Sequence, residues 1–126
     1  MARTAVDLTA EEVAQYRDAA RRERVRREEL RRTREHRAQE LAGQAANLLR
    51  ERFGATRVVL FGSLARGDFS LWSDVDIAVW GTDPGRWLDV IWDVFELAAD
   101  IDVNVVIAEG ASPGLLATVE REGRPV

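Results

Sequence analysis

Phe61-Gly62-Ser63-Leu64-Ala65-Arg66-Gly67-Asp68-Phe69-Ser70-Leu71-Trp72-Ser73-Asp74-Val75-Asp76-Ile77-Ala78-Val79 is the stretch on which the fold turns. Ahead of it, Arg57 to Phe61 is a short β-branched run that reads as a buried strand. Asp74 to Trp80 reads as a second strand. The two-residue period of a strand puts Asp74 and Asp76 on one face, and Val75, Ile77 and Val79 on the other. Between the strands, Gly62-Ser63 opens a tight turn into a short helix. A glycine there lets backbone approach a ligand, and helix-start amides with the Ser63 hydroxyl suit a phosphate oxygen. Two ionised carboxylates close together on a largely apolar strand repel each other and are costly to desolvate. A hard divalent cation turns that cost into binding, and carboxylate oxygens are the ligands Mg²⁺ prefers.

Downstream, Gly81-Thr82-Asp83-Pro84-Gly85 is a turn. Arg86 to Ala99 reads as a helix that is buried except for a narrow face of Asp89, Asp93 and Glu96. Ile101 to Ile107 is a third strand, in which Ile101, Val103 and Val105 point away from Asp102. Asp102 is thus the candidate third acid of a site shared with Asp74 and Asp76. Asp100 shares its face but sits at the strand start and reads as a turn residue. Ser112-Pro113 opens a last helix that runs out at Gly123. Trp80, Trp87 and Trp92 are core candidates, while Trp72 lies in the loop beside the motif and is a candidate to flank a nucleotide.

Upstream, Thr9-Ala10-Glu11-Glu12 has the spacing of a capping box. From there to Phe53 good helix formers dominate, and Gly54 is a natural stop. Leu41, Ala45, Leu48 and Leu49 form a core-facing stripe, but Arg21 to Arg37 offers only Val25 and Leu30, too few for a coiled coil. Residues 1–37 are therefore expected to be an Arg-rich helical extension, and residues 38–126 the domain proper. The order of elements gives an α+β fold: a small mixed sheet of three to four strands with helices packed on it, preceded by a long helical arm.

Composition narrows the chemistry. The chain has 126 residues, no Cys, no Lys and a single His, His36, which reads as a surface helix residue. Disulfides, thiolate nucleophiles, a P-loop lysine and a Schiff-base lysine are all excluded. Carboxylates, hydroxyls, Arg, backbone amides and an oxygen-bound metal remain. No apolar run approaches the roughly 20 residues of a membrane span. The first residues lack the apolar stretch of a signal peptide, so a cytoplasmic location is expected. Charge is divided unevenly: residues 1–53 hold 13 Arg against 10 acids, and residues 54–126 hold 5 Arg against 12 acids.

Gly62-Ser63, the ten-residue spacer Leu64 to Ser73, and Asp74-Val75-Asp76 together resemble the signature of the minimal nucleotidyltransferases of the DNA polymerase beta superfamily. Ala65-Arg66-Gly67 after the Ser, and Ser73 before the first Asp, agree with it. Leu115 to Gly123 resembles that family's closing helix. The resemblance covers roughly Ala38 to Val126 and leaves out the arm. It implies that Asp74, Asp76 and Asp102 hold two Mg²⁺ ions, with Asp102 helping to deprotonate the attacking hydroxyl. It also implies that Gly62 and Ser63 hold the triphosphate of ATP, with Arg66 and Ser73 as further nucleotide-binding candidates. Arg66 is open to two readings, a phosphate clamp or an ion pair with Asp68 or Asp74. Small members of the family are partners of HEPN-domain toxins, to which they transfer AMP on a Tyr hydroxyl, acting as antitoxins. Two other readings stand beside that one: an antitoxin acting by contact alone, and a nucleotidyltransferase acting on RNA or a small molecule. Between Arg21 and Arg37 there are 9 Arg against 4 Glu, a stripe that suits phosphates. Its interleaved Glu residues and lack of stacking aromatics favour a solvated or partner-binding extension instead.

Overall fold

The computed structural model describes residues 8–97 and 100–126. In chain order the elements are α1 (Ala10–Phe53), β1 (Arg57–Phe61), α2 (Ser63–Arg66), β2 (Val75–Trp80), α3 (Trp87–Leu97), β3 (Val103–Ile107), α4 (Pro113–Glu122) and β4 (Arg124–Pro125). The strands form one mixed sheet in the order β3-β2-β1-β4. β1 is antiparallel to both β2 and β4, while β2 and β3 are parallel. The expected end of the third helix at Ala99, and Met1 to Asp7 of the arm, lie outside the described residues. Among the described residues no helix is long and apolar enough to cross a membrane.

The sheet is covered on both faces. On one, Val58, Leu60, Val75, Ile77 and Val79 meet the inner side of α1 and Val90 and Val94 of α3. The α1 contribution is Ala38, Leu41, Ala42, Ala45, Ala46, Leu49 and Phe53, a spacing of three and four residues that places them on one stripe. On the other face, α4 presents Val119 to Val59, Phe61 and Ala78. Asp74 and Asp76 lie on this second face by strand alternation, beyond the part that Val119 covers.

α1 is a single helix of 44 residues that runs without a break past residue 37. Its N-cap is Thr9, whose hydroxyl accepts from the Glu12 amide at 3.1 Å. Its C-cap is Gly54, in the left-handed conformation. Ahead of Ala38 none of its residues is buried, so its stability there rests on propensity and on ion pairs such as Glu28–Arg31 at 2.8 Å. We propose the division at residue 37 in a narrower sense, as the point where apolar burial begins. Polar contacts reach further back, because Arg31 donates to the Phe69 carbonyl and Arg34 to that of Ser73.

Two readings of the aromatic residues need correction. α3 was expected to be buried on all but a narrow polar face, yet its buried residues are Val90 and Val94 alone. Trp87, Leu88, Ile91, Trp92 and Phe95 are exposed, so Trp87 and Trp92 are not core. The reason is layering: β3 is an edge strand, and α3 has the sheet and α1 on one side and no described element on the other. Trp80 is half-buried and carries the Arg57 guanidinium 4.3 Å above its ring.

Leu41 and Leu49 are fully buried, whereas Tyr16 and Val25 are exposed. Leu41→Ala or Leu49→Ala should therefore lower unfolding free energy by about 2–5 kcal/mol in denaturant titration. Tyr16→Ala and Val25→Ala should each change it by less than about 0.5 kcal/mol.

Candidate active site

The acids share one end of the sheet because β1 finishes where β2 and β3 begin. In the parallel register Val75 faces Val103, and the Val75 amide donates to the Asp102 carbonyl at 3.0 Å. Asp74 and Asp102 therefore stand at matching positions at the starts of neighbouring strands. Asp76 faces Asn104, whose side-chain amide donates to Asp76 Oδ1 at 3.2 Å. Across the antiparallel pair Asp76 faces Phe61, the residue before Gly62.

Asp76 is half-buried, and its pKa is raised above the ordinary aspartate value. Burial is the largest cause, and the nearby charges of Asp74 and Glu122 add to it, while the Asn104 hydrogen bond and Arg66 oppose it. Asp102 is exposed, and no hydrogen bond to a described residue holds its carboxylate in place. Asp76 thus feels the charge of Asp74, and Asp102 stands at the matching position on the same face. Among the described residues no three His, Cys, Asp or Glu side chains are gathered tightly enough to hold a metal ion. The donor set nevertheless suits a hard cation: oxygen ligands, negative charge in excess, and a carboxylate whose ionisation is disfavoured until such a charge arrives.

Gly62 is required twice over. Its φ is +76°, and a Cβ placed there would meet Asp76 Oδ2 at 2.4 Å. The backbone of the β1–α2 turn therefore lies directly against the carboxylate. The Gly62 amide donates to Glu122 Oε2 at 3.3 Å, and the Arg66 guanidinium donates to the same carboxylate at 3.1 Å and to Asp68 at 3.3 Å. Of the two ion-pair partners expected for Arg66, Asp68 is present and Asp74 is replaced by Glu122. Ser63, half-buried, opens α2. Ser73 is placed otherwise: its hydroxyl accepts from the Ser70 amide at 2.9 Å and bonds the Ser70 hydroxyl at 2.9 Å, which engages it inside its own turn. Trp72 is 89% exposed in that turn.

Three residues at this edge escaped the sequence reading. Asn104 shares the face of Asp102 by simple alternation, and that signal was available. Glu122 has no local signal, since it arrives at Gly62 from the last turn of α4, 60 residues away. Arg34 stood among many arm arginines, and nothing in its neighbours marks it.

A family model described as a nucleotidyltransferase domain matches residues 43–90. The match takes in Gly62, Ser63, Arg66, Ser73, Asp74 and Asp76 and stops short of Asp102. No curated protein matches the chain. Among solved structures, a minimal nucleotidyltransferase is 30% identical, with 75% of this chain and 91% of that one covered and a TM-score of 0.50. A toxin–antitoxin complex with AMP-PNP is 27% identical, with 67% and 70% covered and a TM-score of 0.57. The MntA–HepT toxin–antitoxin complex is 25% identical, with 69% of each chain covered and a TM-score of 0.52.

Two expectations follow. Because its folded-state pKa is raised, ionised Asp76 destabilises the fold as pH rises through that value, and the penalty disappears once the group is protonated in both states. In EDTA at pH 7, Asp76→Asn should melt above wild type, and the difference should close below about pH 4. Gly62→Ala forces a strained φ and a clash, and should cost about 2 kcal/mol or more by denaturant titration.

Proposed function

The chain belongs to the minimal nucleotidyltransferase family, and from that premise we propose that it transfers AMP from ATP to a hydroxyl of a partner protein. The observation that carries the reading is the turn at Gly62, whose backbone lies against a half-buried Asp76 already crowded by Asp74 and Glu122. A phosphate chain and a cation are what such a juxtaposition of close backbone and surplus carboxylate accommodates.

Asp74, Asp76 and Asp102 would hold Mg²⁺, which when bound supplies positive charge to the phosphate oxygens. The remaining work falls to the chain itself. The Gly62 amide and the Ser63 hydroxyl are donors to triphosphate oxygens once the ligand displaces Glu122 from Gly62. Arg66, on the same Glu122 carboxylate, is placed to turn its guanidinium toward a phosphate. Asp102, exposed at the sheet edge, accepts the proton of the attacking hydroxyl. The hydroxyl oxygen bonds to the α-phosphorus, the bond from that phosphorus to the bridging oxygen breaks, and pyrophosphate leaves.

Similarity to toxin–antitoxin complexes, one of them with AMP-PNP, supports a toxin as partner; a HEPN-type protein and its Tyr hydroxyl as acceptor are what the family resemblance adds to that reading. Protein is favoured over RNA as acceptor by the arm's own ion pairs. Arg27, Arg31, Arg32 and Arg37 are all engaged by Glu side chains of the same helix, which reduces the charge available to phosphates.

The test is to incubate the chain and a HEPN-domain partner with ATP and Mg²⁺, then to measure the partner's intact mass. Wild type should add one or more AMP increments, and Asp102→Asn should add none. A tight complex without a mass change would instead establish an antitoxin that acts by contact.

A further inference from the structure

Arg34 lies in the arm, ahead of residues 43–90 that the nucleotidyltransferase family model matches, yet its guanidinium joins the starts of both acid-bearing strands. Its Nη2 donates to the Ser73 carbonyl at 2.9 Å and its Nη1 to the Asp100 carbonyl at 3.4 Å. Ser73 immediately precedes Asp74, and Asp100 lies two residues before Asp102. The guanidinium lies over the Phe69 ring, its central carbon 5.9 Å from the centroid. The third donor, Nε, is buried without a partner. A half-buried guanidinium whose hydrogen bonds go to neutral carbonyls, with one N–H left unpaired, is costly unless it fixes something a shorter side chain would leave loose. Flanking arginines one turn away in each direction extend the grip: Arg31 donates to the Phe69 carbonyl at 3.1 Å and Arg37 to the Asp100 carboxylate at 3.1 Å.

We propose that Arg34 is a positioning residue for the carboxylate site, because it bridges the Ser73 and Asp100 carbonyls and so sets the separation of Asp74 from Asp102. Arg is needed because a planar fork reaches two acceptors at once, whereas an ammonium on a flexible stem satisfies one arrangement at a time. The arm is then part of the site, although its described residues bury no apolar side chain. The proposal rests on the reading of Asp74, Asp76 and Asp102 as a cation site, and the test separates the two.

The probe is Mg²⁺ alone, titrated calorimetrically into the full chain well below its melting temperature. Wild type should bind Mg²⁺, and Asp76→Asn should lose that binding. Arg34→Lys should keep the circular dichroism spectrum and weaken Mg²⁺ about tenfold, a loss of about 1.4 kcal/mol. Arg31→Lys, which releases the Phe69 carbonyl and leaves both strand starts held, should stay within twofold of wild type. A purely structural role would lower the melting temperature of Arg34→Lys and leave its Mg²⁺ affinity unchanged, which would overturn the proposal. If the lysine variant does not fold, Arg34→Met keeps an apolar stem of similar length without the donors and repeats the measurement. Failure of both to fold would overturn a role confined to positioning. No Mg²⁺ binding by wild type would overturn the cation-site reading and the proposal with it.

Discussion

Asp76 is a carboxylate near the start of an interior strand whose opposite face is fully buried, and its charge has to be accommodated. The surrounding edge is built around that constraint. Gly62 is a glycine because any side chain would strike the carboxylate, and Asn104 donates to it from the neighbouring strand. Arg66 offsets part of the negative charge, while Asp74 and Glu122 add to it. The balance stays negative, so the folded chain bears a standing electrostatic cost at this edge. Costs of this kind cluster where a ligand offsets them. That links the local geometry to the transferase reading more firmly than any one acid does.

The second organising feature is the division of labour along α1. From Ala38 to Phe53 the helix contributes alanines and leucines to one face of the sheet. From Arg31 to Arg37 it contributes guanidiniums: Arg34 to the Ser73 and Asp100 carbonyls ahead of the acid-bearing strands, Arg31 to the Phe69 carbonyl in the loop, and Arg37 to the Asp100 carboxylate. One rigid element therefore supports the core and reaches the site. From Val13 to Leu30 the arm is exposed on every side, as is the outer face of α3 with Trp87, Trp92 and Phe95.

Much of the fold was legible in the sequence because its signals are local. The β-branched run at Arg57 to Phe61, the apolar alternation from Val75 to Val79, and the caps at Thr9, Gly54 and Ser112 each act over a few residues. The alternation that put Asp74 and Asp76 on one face follows from strand geometry alone. Contacts across long sequence separations were not legible. Glu122 meets Gly62, and Arg34 meets Ser73 and Asp100, because helices and sheet pack in one particular way. The exposure of α3 was misread for a related reason: an apolar face shows that a helix has something to cover, not that the same chain covers it.

The most direct test of the central claim is anomalous scattering from crystals of the full chain grown with Mn²⁺ and a non-hydrolysable ATP analogue. The expected result is an anomalous peak within coordination distance of Asp74 and Asp76, with the triphosphate against Gly62 and Ser63. A nucleotide bound elsewhere, or no metal at these two carboxylates, would contradict it.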